Sequence, residues 1–119
     1  MLFIEYPQCS TCQKAKKWLD AQGIDYTDRN IKQDRPTIAE LTDWHERSGI
    51  DLKRLFNTSG MVYRARGLKD MPTMTDEEKI AELASDGMLV KRPLVIDGDT
   101  VLAGFHEAEW AQAFGLTKA

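Results

Sequence analysis

Cys9 and Cys12, the only two cysteines of the chain, fall where an apolar run, Leu2-Phe3-Ile4, gives way to a helical pattern. Leu2 to Tyr6 reads as a buried strand, which Pro7 ends. From Thr11 to Gln22 the pattern is helical. Cys12, Ala15 and Leu19 share one face with Trp18 at its margin, and Gly23 is the stop. Ile24-Asp25-Tyr26-Thr27-Asp28 then alternates like a second strand, closed by Ile31. A strand, a helix and a strand in this order form a parallel, right-handed unit, so the opening of the chain commits it to an α/β sheet.

The same junction concentrates chemistry. A thiol at a strand-to-helix turn meets the positive end of the helix dipole and free backbone N–H groups. Such an environment favours thiolate over thiol. Cysteines spaced i, i+3 in a first helical turn also come close to the Cα separation of about 4.4–6.8 Å that a disulfide requires. Cys9, at the helix mouth, is expected to be the more exposed, with the lower pKa, and to attack. Cys12, one turn in, is expected to be buried and to resolve the mixed disulfide. Ser10 and Thr11 are expected to offer hydroxyls to the Cys9 sulfur and to help cap the helix.

Two rival readings weigh less. Zinc takes about four ligands, and this pair supplies two, with neither His45 nor His106 at ligand spacing. Inert core cysteines do not account for the placement of the pair at a helix mouth inside a strand–helix–strand unit. No metal or resident cofactor is expected.

The middle of the chain is helical. Thr37 and Glu40 form a capping-box pair after Pro36, and Ile38, Leu41, Trp44 and Ser48 make one stripe that ends at Gly49. A short helix is expected over Asp51 to Phe56 and another from about Ser59 to Ala65, before Gly67. Thr75 and Glu78 repeat the capping box, Ile80, Leu83 and Ala84 form the buried face, and Gly87 ends that helix. The end returns to strands. Leu94-Val95-Ile96 is apolar, Asp97-Gly98-Asp99 is a turn, and Thr100 to Ala103 pairs back as a hairpin. A last helix is expected over Glu107 to Phe114 through Trp110 and Ala113.

At 119 residues the chain is one domain, and its 42% hydrophobic content suits a packed core. A net charge of -3 gives no support to direct nucleic-acid binding. Lys14, Lys16 and Lys17 read as one solvated helix face. No apolar run approaches a membrane span, and no charged start followed by an apolar stretch marks a signal peptide. A cytoplasmic location is therefore expected, where two close thiols read as redox-active or metal-binding rather than as a structural disulfide. Nothing demands more than a monomer.

Lys91-Arg92-Pro93, directly before the strand at Leu94, is the second feature. A proline there cannot join the ladder through its nitrogen. The local sequence leaves two readings open. One is an ordinary trans proline beside a surface arginine. The other is a cis peptide that opens the backbone toward a substrate, with Arg92 offering its cation to a thiolate or oxyanion.

Taken together, four blocks resemble the ArsC/Spx family: Tyr6-Pro7-Gln8-Cys9-Ser10-Thr11-Cys12-Gln13-Lys14-Ala15, Arg29-Asn30-Ile31, Arg92-Pro93-Leu94-Val95-Ile96, and Gly104-Phe105-His106-Glu107. The resemblance covers essentially the whole chain. It implies a thioredoxin/glutaredoxin-like α/β fold, a mixed sheet flanked by helices with an inserted helical segment. The thioredoxin-like parts would be about 1–31 and 90–119, and the insertion about 37–88. It also implies that the Arg92-Pro93 bond is cis and lies beside Cys9, with Pro93 shaping the docking groove.

The family divides in function. Its arsenate reductases attack the oxyanion with one cysteine, matched by Cys9, hold it with three arginines, and complete the cycle with glutathione and glutaredoxin. Only Arg92 matches one of the three. Asn57 and Gly104 stand at the other two positions, and Arg64 and Arg66 match neither. Losing two charge-assisted contacts at about 1.5–3 kcal/mol each argues against efficient arsenate reduction. Cys12 points instead to a disulfide or small-thiol substrate, with glutathione, glutaredoxin or thioredoxin as the external reductant. The Spx-like branch implies the alternative: a redox-sensing regulator that binds the RNA polymerase α subunit, with Gly49 on the corresponding surface.

Overall fold

The computed structural model describes residues 1–68 and 73–116. Positions 69–72 of the expected insertion and 117–119 of the expected terminal part lie outside the described residues. Four strands, β1 (Leu2–Glu5), β2 (Thr27–Asn30), β3 (Leu94–Asp97) and β4 (Thr100–Ala103), form one sheet in the order β2-β1-β3-β4. β2 runs parallel to β1, whereas β3 is antiparallel to both β1 and β4. The mixed sheet and the parallel opening are as the sequence implies.

Side chains alternate across the sheet and feed two cores. Phe3, Val95 and Leu102 face one way, against Ala15 and Leu19 of α1 (Ser10–Ala21) and Trp110 of α5 (Glu107–Ala113). Ile4, Leu94 and Val101 face the other way. There they meet Leu41 and Trp44 of α2 (Ile38–Ser48), Leu55 of a 3-10 turn (Leu52–Leu55), and Ile80 and Leu83 of α4 (Asp76–Ser85). The short α3 (Met61–Ala65) completes the inserted helices. Both faces of the sheet are thus covered, which is why the central strands β1 and β3 open on apolar runs, whereas the edge strand β2 is polar.

Three expectations shift in detail. The second strand begins at Thr27, not Ile24. After α1, Gly23 N–H bonds to Asp20 and Ile24 N–H to Leu19, each at 3.1 Å, with Gly23 at φ 69. This is the left-handed helix stop in which the following apolar residue packs back on the helix, so Ile24 joins the α1 core and the strand starts later. Ile38 is 57% exposed although it belongs to the apolar stripe of α2. It occupies the first turn, beside a depression between α2 and α4 that it shares with His45, Asp76 and Ile80. Gly87 is not a left-handed helix stop. It opens a 3-10 turn (Gly87–Leu89), and a Cβ there would lie 2.2 Å from the Ile31 carbonyl oxygen, so only glycine permits this close approach.

The Arg29-Asn30-Ile31 block has a structural explanation. Asn30 Oδ1 accepts from the N–H groups of Lys32 and Gln33, forming the turn after β2, while Ile31 is fully buried. Arg29 donates to both oxygens of Glu40, at 2.6 and 2.9 Å, and Glu40 also closes the capping box with Thr37. The Arg29 bond, with help from Thr37, holds the Glu40 carboxyl at about 2, below its ordinary 4.5. The ionised form thus stabilises the fold above the unfolded value, and that stabilisation is lost as pH falls toward about 2. Glu40→Gln is expected to lower stability by about 2 kcal/mol at neutral pH and to flatten the acid limb of urea denaturation midpoints. An unchanged acid limb would show that the pair is energetically silent.

Candidate active site

Cys9 sits in extended conformation immediately before α1 and is itself the helix cap. Its Sγ accepts the Cys12 N–H at 3.3 Å. The capping expected of Ser10 and Thr11 therefore falls to the cysteine, and those two residues are exposed in the first turn. The loop that delivers Cys9 is pinned twice. Cys9 N–H bonds to the Tyr6 carbonyl at 2.9 Å, and Gln13 Nε2 donates to the Pro7 carbonyl at 2.8 Å.

The two thiols differ as their positions require. Cys9 is partly exposed, and Cys12 is fully buried. Burial, and next its hydrogen bond with Cys9, push the Cys12 thiol up to about 12, with a Tyr6 backbone bond acting the other way. Both are free thiols.

The Arg92-Pro93 bond is cis. The Arg92 guanidinium lies 5.5 Å from the centroid of the Tyr6 ring, and its Nη1 donates to the Met88 and Val90 carbonyls, each at 3.5 Å. Its Nε is buried without a hydrogen-bond partner. The cation is thus fixed by stacking and by two long bonds, with donor capacity to spare.

Asn57 reaches this site through a contact that no local pattern announces. Phe56 bridges antiparallel to Val90, Asn57 N–H bonds to Leu89 O at 2.7 Å, and Lys91 N–H bonds to Leu55 O at 2.7 Å. The inserted segment is thereby stitched to the stretch of chain that leads into Arg92. Gly104 is held from two sides: its N–H bonds to the Pro93 carbonyl at 2.9 Å, and its own carbonyl accepts Trp110 Nε1 at 3.0 Å. Its φ of 76 is left-handed, and a Cβ there would lie 2.9 Å from Lys91 Cε. The stem of Lys91 fills the space that a side chain at position 104 would claim.

The result is a depression of about 310 Å³ with Cys9 and Thr11 on one wall, Lys91 and Arg92 on another, and Asn57, Ser59, Gly104, Phe105 and His106 closing it. Of the residues singled out from sequence, Cys9, Thr11 and Arg92 line it. Cys12 lies behind Cys9, Pro93 is buried behind Arg92, and Ser10 is off the wall. Arg64 and Arg66 do not line it. Arg66 is engaged by Glu82 and Ser85, each at 2.7 Å, and Arg64 lines a separate depression with Tyr63 and Leu68. Ser59, Lys91, Phe105 and His106 are lining residues that sequence reasoning did not single out as site residues. The adjacency of Lys91 to Arg92 was the available signal, but its reach depends on Gly104. Among the described residues no group of three His, Cys, Asp or Glu side chains is placed to hold a metal ion, and no helix is long and apolar enough to cross a membrane.

The order of these blocks along the chain agrees with a match to the ArsC family over residues 4–113. The chain belongs to the ArsC family. The uncharacterized protein YusI of Bacillus subtilis is 46% identical over 113 residues, 94% of this chain and 96% of that protein. The global transcriptional regulator Spx of Staphylococcus haemolyticus is 27% identical, over 87% of this chain and 78% of its own length. Among solved structures, an ArsC family related protein from Bacteroides fragilis superposes with a TM-score of 0.89 at 54% identity, covering 93% of this chain and 94% of that one. The thioredoxin-like α/β fold expected from the resemblance is the one observed. This chain thus brings Cys9, Arg92 and Lys91 to one depression that Asn57 and Gly104 also line.

Proposed function

We propose that this ArsC family protein is a thiol–disulfide oxidoreductase. The single observation that carries the reading is the asymmetry of the pair, a partly exposed Cys9 capping α1 and a fully buried Cys12 whose N–H touches the Cys9 sulfur. Cys9 attacks one sulfur of a disulfide substrate and releases the first thiolate. Cys12 then displaces the second thiolate from Cys9 and leaves an internal disulfide. Arg92 and Lys91 offer charge to the departing thiolate, and the Thr11 and Ser59 hydroxyls offer hydrogen bonds. An external dithiol of the thioredoxin or glutaredoxin class, or glutathione, restores the pair. A disulfide is neutral and needs no cage of cations, which suits a site with Asn57 and Gly104 on its walls better than it suits arsenate.

Cys12→Ser is expected to stop the sequence half-way. Incubated with a disulfide, the variant should retain one substrate thiol on Cys9 by intact mass, whereas the unaltered chain should lose two hydrogens and carry no adduct. If the variant gains no adduct, or the unaltered chain keeps one indefinitely, the cysteines do not work as a pair.

The likeness to Spx supports a second reading, a redox-sensing regulator that contacts the RNA polymerase α subunit. Gly49 gives it no separate support. It is a left-handed helix stop at φ 69 whose N–H bonds to His45, which accounts for the glycine structurally. Co-purification of the α subunit with only one redox form of this chain would favour the regulator. Turnover of arsenate by glutathione and glutaredoxin, lost in Arg92→Ala, would favour the oxyanion reductase.

A further inference from the structure

Cys12 poses a problem for any reaction in which it attacks. It is fully buried, and bulk base does not reach its proton. Its surroundings contain one carboxyl that the fold does not explain. Glu5, at the end of β1, is 4% exposed, the single polar or charged side chain in the buried set of described residues, and its Oε2 has no hydrogen-bond partner. A buried carboxyl with an unused oxygen is expensive, so its presence calls for a use.

Its placement follows from register. Glu5 lies two residues after Phe3, on the sheet face covered by α1, the helix that carries Cys12. The Cys12 sulfur is bonded by the backbone of Tyr6, the residue after Glu5, and the Glu5 charge is among the causes that raise its thiol. Asp28, opposite Phe3 on the neighbouring strand, shares that face and is placed to take a hydrogen bond from Glu5. Asp28 is bound at 2.7 Å to Lys16, one helical turn beyond Cys12, and both side chains are about one-third exposed. Arg92 lies against Tyr6, which packs into the opposite core with Ile4. The groups facing Glu5 are therefore Cys12 and Lys16 from α1 and Asp28 from β2.

Resting on the oxidoreductase reading above, we propose that Glu5 is the proton acceptor for Cys12 and passes the proton by way of the part-exposed Asp28 to solvent. In the resolving step the Cys12 thiol gives its proton to the Glu5 carboxylate. The Cys12 sulfur then forms a bond to the Cys9 sulfur, and the bond from Cys9 to the substrate sulfur breaks with its electron pair, releasing a thiolate. The internal disulfide is the oxidised product, the substrate thiol is the reduced one, and the proton held by Glu5 leaves outward. Burial and the nearby Asp28 raise the Glu5 carboxyl above its ordinary value, which brings donor and acceptor nearer in basicity and eases the transfer.

The test uses a symmetrical aromatic disulfide, 5,5'-dithiobis(2-nitrobenzoate), and follows both releases of coloured thiolate in one stopped-flow trace. The first release reports Cys9 and the second reports Cys12. Glu5→Gln is expected to leave the first release unchanged and to slow the second by about 10²-fold. It should also change the pH profile. In the unaltered chain the second release should level off once Glu5 has ionised, whereas in Glu5→Gln it should keep rising with hydroxide. Glu5→Asp should restore part of the rate. A second release that is equally fast in Glu5→Gln, or a profile in the unaltered chain that climbs with hydroxide without levelling, would overturn the role of Glu5. The profile of the unaltered chain decides the matter even if the variants fail to fold. Failure of the underlying reading looks different: a second release that survives Cys12→Ser, or no first release at all.

Discussion

Cys9→Ser is expected to lower the rate of the first thiolate release by about 10³-fold or more, measured with the same aromatic disulfide under single-turnover conditions. Serine keeps the cap, because a hydroxyl accepts an N–H as readily as a sulfur does, so α1 should remain intact by circular dichroism. What is lost is the nucleophile. Cys12 cannot stand in for it. It is fully buried, and burial pushes its thiol well above the ordinary cysteine range, so it offers little thiolate to an external disulfide. The variant should therefore behave almost like the chain without either cysteine. Retention of rapid release would mean that Cys12 is accessible, which would remove the basis for assigning the two sulfurs different roles.

Gly87→Ala is expected to destabilise the fold by about 3 kcal/mol or more, a loss near 10 °C in melting temperature for a chain of this size. A Cβ at position 87 would stand 2.2 Å from the Ile31 carbonyl oxygen and 3.0 Å from its carbon. Both atoms are backbone, just after β2, and neither can swing aside as a flexible side chain does. Relief requires the turn at Gly87–Leu89 to lift from the sheet, exposing the buried Leu89 and Val90. It would also strain the bridge that sets Asn57 and Lys91 beside Arg92, so reactivity at Cys9 should fall along with stability. Gly23→Ala provides the contrast. A Cβ there meets nothing within 4 Å, and only the left-handed backbone, at φ 69, resists it. That change should lower stability by about 1 kcal/mol and leave Cys9 untouched. Equal effects in the two variants would show that the contact with Ile31 is not a tight one.

The site itself offers a similar contrast. That Asn57 and Gly104 stand where the family resemblance implies cations is visible in the residue string, but what occupies the space instead is not. Lys91 lies across Gly104 because the glycine leaves room, so the site retains a second positive side chain beside Arg92 in a different place. Arg64 and Arg66 carry the same charge in the sequence, yet Arg66 is engaged by Glu82 on α4 and Arg64 lines a separate depression. Charge is written in the sequence, whereas direction is set by what each stem packs against.

The features legible from the residues alone are those that depend on neighbours within a few positions. They include both capping boxes, the helix mouth at Cys9, the hairpin at Gly98, and the apolar periods that mark α1, α2 and α4. Backbone preference and short-range hydrogen bonds determine these, and both act over one or two helical turns. The start of β2, the exposure of Ile38, the bridge from Phe56 to Val90 and the burial of Glu5 behind the cysteine pair were decided only in the folded molecule. Each depends on which segment, distant along the chain, comes to lie against it, and that follows from two cores closing on opposite faces of one sheet.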